Sequence, residues 1–571
     1  MKVKLPKELK GIKFSKVLTI DMNDFDIDTF LPSLFYTILA QGRGKARRTN
    51  DPEDIQKYID ALAQHSALQG FSDKEGRKVL ERLVRTTLIT TGGVGRSGQG
   101  EQITSIIPYT LLAHKPGFPA GAPHRGADTF IYYALLDYLN KADKKLLEDV
   151  TTIFGRGIIL GRMPNLGGNY DGVTELDTIT RLSIAFLDGF QDTPMGLTRE
   201  PGGTAACPKL ATELAADLLI YLSKFHERMP SQALTYNLLA LINFELFNYT
   251  LKMVYAINAL VRTPSTLPPA MRGQLESSPP QLYLDFTQDA RGRSYEMAKE
   301  CVRRDIEAYQ QFLSATVLLR LLDSYVVSLR RSAQRKVKID AMLAGKDSGP
   351  QYLQGLLLLR RDPALMGYLE AMARVDEERI REANEVTDDT TAEIDEVELN
   401  WLDDIAGTAD SDIERVVNLL VEGQRDSALA HFMKWYWSVG GIKKPHGLLA
   451  GAVTNRSSWR YAPSNDWLAV LVQVAAARLS EHGIQAIKLQ EFLQFLEQRY
   501  GILIDRPPDM FKGAEYIAAA HDNVRALQNR LRQMGIFRDL SDDFTIQSLH
   551  PPYAGQETTG VSREEVSHHE R

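Results

Sequence analysis

Cysteine is almost absent from this sequence: Cys207 and Cys301 are its two thiols among 571 residues. Two thiols cannot form a disulfide framework, and no C-x-x-C pair is present to hold a metal. The basic N-terminal stretch lacks an apolar core of signal-peptide length. The most apolar long stretch, residues 233–261, carries Glu245 and Lys252, so it predicts a buried helix rather than a membrane span. We therefore expect a cytoplasmic protein with no membrane segment.

Signatures of catalysis are also missing. Residues 93–98 match the G-x-G-x-x-G phosphate-binding pattern, but the β-branched run after them reaches Pro108 before a helix can form. A P-loop would need Lys and Ser or Thr where Gln99 and Gly100 stand. The eleven histidines form no H-E-x-x-H or similar ligand set, and no G-x-S-x-G elbow occurs. The sequence favours a non-catalytic protein with no cofactor and no bound metal.

Charge and composition are those of an ordinary globular protein. The chain has 67 Lys+Arg against 73 Asp+Glu, a formal net charge of −6, with 44% hydrophobic and 25% charged residues. This balance excludes wholesale disorder, a polytopic membrane protein and a protein that is basic overall. The length indicates about two to four domains.

The expected fold class is mainly α (α+β), with a mixed N-terminal domain, a large helical middle and a C-terminal winged-helix-like domain. Three glycine-rich segments predict a mixed α/β domain with long loops over residues 1–205, including a short strand at 15–22. Apolar residues then recur three and four apart, which predicts a helical domain over 206–375. The polar residues 556–571 predict a disordered tail.

Residues 376–412 are strongly acidic. They hold 15 Asp or Glu and two Arg, a local charge of −13. Like charges at this density repel one another and favour solvated or extended chain. The segment therefore predicts an acidic linker, and a docking peptide for a basic partner surface, built around Ile394 and Trp401, is the alternative.

The next domain, residues 413–555, ends in a readable order of elements. Helices are predicted at 466–482, 488–500 and 514–534, and a glycine follows the second and third. A segment that alternates around a Ser-Asp-Asp turn comes next, as in a β-hairpin. This order resembles a winged-helix fold over residues 466–549, in which the third helix is the recognition helix and the turn is the wing tip.

Polar side chains on the third predicted helix are of the types that contact bases and phosphates: Asn523, Arg525, Asn529, Arg530 and Arg532. Three acidic residues of the expected wing tip would repel phosphate: Asp539, Asp542 and Asp543. Winged-helix domains also bind proteins, so both kinds of partner stay open.

Basic clusters elsewhere add to this interface, since phosphate neutralisation by Lys and Arg is independent of sequence and sensitive to salt. Each cluster alone is also typical of a solvated surface. The nucleic-acid-binding candidates are Arg43, Lys45, Arg47, Arg48, Arg96, Lys443, Lys444, Arg460, Arg525, Asn529 and Arg532.

These features predict a non-catalytic, nucleic-acid-associated or scaffolding subunit of a cytosolic prokaryotic multiprotein assembly. Its partners would be proteins of a larger complex, with DNA or RNA as a further ligand; anti-phage defence or DNA modification and restriction is one such setting. One alternative is an enzyme with a phosphate- or metal-dependent site in the glycine-rich loops, formed by Asp21, Arg96, His114, His124 and Arg156. Another is a transcriptional regulator, which the acidic wing and the net charge disfavour.

Overall fold

A computed structural model describes most of the chain. The described residues are 3–11, 13–45, 54–93, 101–116, 124–161, 168–191, 195–198, 204–272, 280–385, 400–407, 409–480, 483–538 and 547–555.

Helices make up about 60% of the protein. In the first half they are α1 (Phe30–Leu39), α2 (Asp54–Ala63), α3 (Lys74–Leu83), α4 (Ala127–Tyr138), α5 (Asp143–Phe154), α6 (Thr178–Leu187), α7 (Pro208–Phe225), α8 (Ser231–Arg262) and α9 (Pro269–Arg272). In the second half they are α10 (Arg293–Leu329), α11 (Ala333–Met342), α12 (Pro350–Leu359), α13 (Pro363–Glu385), α14 (Asn400–Ala406), α15 (Asp412–Val439), α16 (Asn465–Leu479), α17 (Leu489–Tyr500) and α18 (Ala514–Gln533).

The strands are short: β1 (Arg43–Lys45), β2 (Ile89–Gly93), β3 (Glu101–Ile106), β4 (Ile158–Leu160), β5 (Gly168–Tyr170), β6 (Met195–Thr198), β7 (Leu282–Tyr283), β8 (Leu449–Ala452), β9 (Asn455–Tyr461), β10 (Ile487–Lys488), β11 (Ile502–Leu503), β12 (Phe537–Arg538) and β13 (Ser548–Leu549). Among the described residues they form five two-stranded sheets and one three-stranded sheet, and β11 with β7 is the parallel pair. The predicted fold class, mainly α (α+β), is confirmed.

The two longest helices, α8 and α10, lie at the centre of the molecule. They pack against each other, and α15 packs against both. Asp305 of α10 is fully buried and joins three elements, because it accepts hydrogen bonds from Tyr255 of α8 (2.6 Å) and Tyr461 of β9 (2.5 Å). Among the described helices, α10 alone is long and apolar enough to cross a membrane, but 67% of its most apolar window is buried in the fold.

Buried apolar side chains form two cores. The main core runs from Val3 to Leu549, so it joins the first described residues to the C-terminal strands. A smaller core is built from α2, α3, α6, the β2–β3 hairpin and Leu112. Leu111 belongs to the main core, so the two cores adjoin at this pair of residues.

Residues 15–22 do not form the predicted strand. Their backbone makes a turn in which the amides of Val17 and Leu18 donate to the carbonyl of Phe14, at 3.0 and 2.7 Å. Ile20 and Met22 are buried with them in the main core. The apolar run that suggested a strand therefore reflects burial of an irregular segment.

Candidate nucleic-acid interface

The C-terminal unit follows a defined chain order: α16, β10, α17, β11, α18, β12 and β13. Its three-stranded antiparallel sheet has the order β10-β13-β12, with Leu549 paired to both Ile487 and Phe537. Gly501 ends α17 in the left-handed conformation (φ 77°), as its position in the sequence predicted. The expected wing tip, with its three aspartates, lies outside the described residues.

One side of α18 is buried. Val524, Leu527 and Leu531 recur at three- and four-residue spacing and pack into the main core. Asn523 lies on this side and is also fully buried, so its side chain cannot make the base or phosphate contacts expected of it. Its carboxamide accepts from the Phe286 amide (2.7 Å) and donates to the Leu284 carbonyl (2.8 Å). Asn523 therefore anchors α18 to the chain before α10.

The opposite side of α18 is exposed and carries three of the predicted residues. Arg525, Asn529 and Arg532 stand four and three positions apart, so they share one face of the helix, called here the α18 outer face. Arg532 donates to Asn529 (2.9 Å), and its guanidinium lies 4.8 Å from the Phe537 ring centroid. Arg525 makes a surface ion pair with Asp522 at 3.1 Å.

A buried charge cluster holds the C-terminal unit against the helical middle. Asp217 of α7 is fully buried and accepts hydrogen bonds from Arg478 of α16 (2.6 Å) and from Arg499 of α17 (2.8 Å). The hydroxyl of Tyr500 lies 3.1 Å from a carboxyl oxygen of Asp217 and 3.1 Å from one of Glu245, within hydrogen-bond distance of both. Burial, with the Asp217 charge second, raises the pKa of Glu245 well above its usual value, which favours its neutral form.

Other candidates lie at the end of α15 and on the β8–β9 hairpin. Lys443 is exposed in the turn after α15, whereas Lys444 makes an ion pair with Asp28, so its charge is already compensated. Arg460 of β9 is half-buried, with its guanidinium 4.8 Å from the ring centroid of Tyr295. The sequence gives no sign that Arg460 and α18 are close in space, because the two are connected through hydrogen bonds to a distant segment, residues 285–286.

The N-terminal candidates are only partly described. Arg43 is exposed at the start of β1, and Lys45 is the last residue of that strand. β1 pairs antiparallel with β6. The remaining three lie outside the described residues: Arg47, Arg48 and Arg96. The first glycine of the G-x-G-x-x-G motif ends β2, and the described chain resumes at Glu101 in β3, its antiparallel partner, rather than in the helix that a phosphate-binding motif would begin.

The residues of the alternative enzyme site do not form one described cluster. His124 hydrogen-bonds the Thr29 hydroxyl (2.9 Å), and the neighbouring Arg125 lies 3.9 Å from Asp21. His114 is buried near Tyr36, which lies about two helical turns beyond Thr29 on α1. A ring nitrogen of His114 hydrogen-bonds the Leu111 carbonyl at 2.7 Å. Arg156 is exposed after α5. No group of three or more His, Cys, Asp or Glu within the described ranges is placed to hold a metal.

One cleft of about 360 Å³ lies between α8, α16 and the last described residues. Its polar lining includes Tyr236, Asn237, Asp466 and Gln473. The Tyr236 hydroxyl donates to Asp466 at 2.9 Å, and Gln473 accepts from Tyr221 at the same distance. No Lys or Arg lines this cleft, so its chemistry does not suit a phosphate group.

Comparison with known proteins gives one result. Residues 7–553 match the family model described as methylation-associated defense system protein MAD7. A match over nearly the whole chain places the protein among the components of an anti-phage defence system, which confirms the expected setting. The chain belongs to the MAD7 family. No curated protein and no solved structure matches it.

Proposed function

We propose that this protein is a non-catalytic, DNA-associated subunit of its defence system, and that the α18 outer face contacts duplex DNA. The observation that carries the proposal is the position of Arg525, Asn529 and Arg532 on the exposed side of the third helix of the C-terminal unit. The strand order β10-β13-β12 around that helix supports a winged-helix-like arrangement, in which this helix enters the major groove.

The contacts of this face suit a duplex. Arg532 is already ordered by Asn529 and by the Phe537 ring, so less side-chain entropy is lost when it meets a phosphate. The ion pair between Arg525 and Asp522 is exposed and therefore weak, and DNA can displace it. The opposite side of α18 is fixed by Asn523, which gives the helix a rigid support.

Binding to a labelled duplex of about three helical turns tests the proposal, with the full chain titrated between about 50 and 200 mM salt. We expect binding that weakens with salt, and an affinity loss on the order of tenfold for the R525A/R532A double variant. The matched control is R82A/R361A, which removes two exposed arginines from α3 and from the chain after α12. Equal affinity of the wild type and R525A/R532A would overturn the proposal.

Membership of a defence-system family also supports a role for this protein beside other proteins. We propose that it acts in the cytoplasm. Asp522 stands next to Arg525 on the exposed side of α18, and mixed charge of this kind suits a protein partner as well as DNA. Co-purification from the native host, with and without nuclease, separates the two roles. A partner retained after nuclease, from protein that binds no duplex, would indicate a scaffold rather than a DNA-contacting subunit.

A further inference from the structure

Two arginines flank the segment that links the β8–β9 hairpin to α18. The Asp285 amide donates to the carbonyl of Tyr461 (2.9 Å), and the Phe286 amide donates to Asn523 (2.7 Å). Arg460 therefore lies on one side of residues 285–286 and α18 on the other. Arg530 of α18 lies over the Phe286 ring, 5.7 Å from its centroid. We call this surface the Arg460–Arg530 seam.

Arg460 is held by an aromatic ring rather than by a carboxylate. Its guanidinium lies 4.8 Å from the ring centroid of Tyr295, in the first turn of α10. Its Nε is buried without a hydrogen-bond partner, and no ion pair links it to an acidic residue of the described chain. A guanidinium that is fixed in place but not neutralised keeps its capacity to bind an anion.

Arg530 is positioned in a similar way. Its Nε donates to the side chain of Asn465 at 2.6 Å, and no carboxylate in the described part of the structure lies within ion-pair distance. Burial lowers the pKa of the Arg530 guanidinium, and the negative charge of Asp285 partly offsets this decrease. Asp285 cannot move toward it freely, because its carboxylate accepts hydrogen bonds from Ser294 and Thr287, both at 2.7 Å. Arg530 thus bears a desolvation cost that a phosphate would relieve.

Neighbouring arginines differ from this pair. Arg293 is paired with Glu296 (2.5 Å), and Arg525 is paired with Asp522. The seam also adjoins the start of α10, whose N-cap Gly292 supplies no side-chain cap, so the helix dipole adds partial positive charge there. The exposed acidic residue nearest in sequence to residues 285–286 is Asp289, and one oxygen of its carboxylate accepts a hydrogen bond from the Arg291 amide.

We propose that Arg460 and Arg530 bind phosphates of the DNA backbone beyond the stretch that meets the α18 outer face. The footprint would then run from α18 across residues 285–286 to the β8–β9 hairpin, where Arg456 is exposed near the start of β9. This inference rests on the proposed function, since it assigns a second contact with the same duplex. Arg530 is a residue of the flank of α18 and not of its outer face.

The salt dependence of duplex binding by the full chain tests the seam. Each phosphate contact contributes about 0.9 to the slope of log K against log salt, so R460Q/R530Q should lower that slope by about 2. The single variants R460Q and R530Q should each lower it by about 1. R82Q/R361Q is the matched control and should leave the slope unchanged. Circular dichroism checks that each variant is folded; if R530Q is not, R460Q alone still decides the result for Arg460.

The outcomes separate the two proposals. If R525A/R532A weakens binding while R460Q leaves the slope unchanged, the seam is wrong and the proposed function stands. If R460Q and R530Q lower the slope while R525A/R532A binds normally, the seam contacts DNA and the role of the α18 outer face is wrong. If the wild-type protein binds no duplex at low salt, both are wrong.

Discussion

The carboxyl group of Glu245 is fully enclosed where α8 meets α7 and α17, and its raised pKa makes stability depend on pH. A folded-state pKa above the usual 4.5 means that the native state holds a proton that the unfolded chain releases. The contribution of the protonated Glu245 carboxyl to the free energy of unfolding is therefore complete below pH 4.5, and it is lost as the pH rises through the folded-state pKa. Gln mimics the neutral carboxyl, because it can accept from Tyr500 and donate to Asp217.

We accordingly expect Glu245→Gln to match the wild type near pH 4.5 and to become more stable than the wild type as the pH rises to 8. Thermal midpoints measured across this range check the trend. Glu148→Gln is the control, because Glu148 is 63% exposed in a surface pair with Lys144, and its difference from the wild type should stay flat. A constant or falling advantage of Glu245→Gln would show that Glu245 is ionised in the native state.

At the scale of elements, α18 depends on one buried asparagine. Replacing Asn523 by Ala removes the acceptor of the Phe286 amide and the donor to the Leu284 and Ile504 carbonyls. Buried groups without partners are costly, so we expect Asn523→Ala to lower the free energy of unfolding by about 2–4 kcal/mol. Urea denaturation measures this loss. Asn529→Ala, on the exposed side of the same helix, should change it by less than about 0.5 kcal/mol; an equal effect of both would contradict the anchoring role.

Elements whose signals are local were predictable. The α17 boundary followed from the glycine at 501, and the antiparallel pairing of β12 with β13 followed from alternation around a polar turn. The burial of Asn523 was not predictable, because its partner Phe286 is 237 residues away and only the fold brings the two together. Arg530 was recognised as a polar residue of a helix, but its support by Phe286 and Asn465 also depends on contacts between distant segments.

At the scale of the whole molecule, two separate apolar cores predict two unfolding transitions. The smaller core around α2, α3 and the β2–β3 hairpin has its own buried side chains, among them Ile59, which is fully buried. Leu419 of α15 is equally buried in the main core. Cooperative unfolding units often coincide with separately packed regions, and we therefore expect calorimetry of the full chain to resolve two peaks.

Truncating one side chain in each core assigns the peaks. Ile59→Ala and Leu419→Ala each create a cavity that costs about 2–5 kcal/mol, and each should lower the midpoint of one peak and leave the other in place. Each variant is thus the control for the other. If either variant moves both peaks together, or if one peak accounts for the whole enthalpy, then the contact at Leu111 and Leu112 couples the cores, and the chain unfolds as a single unit.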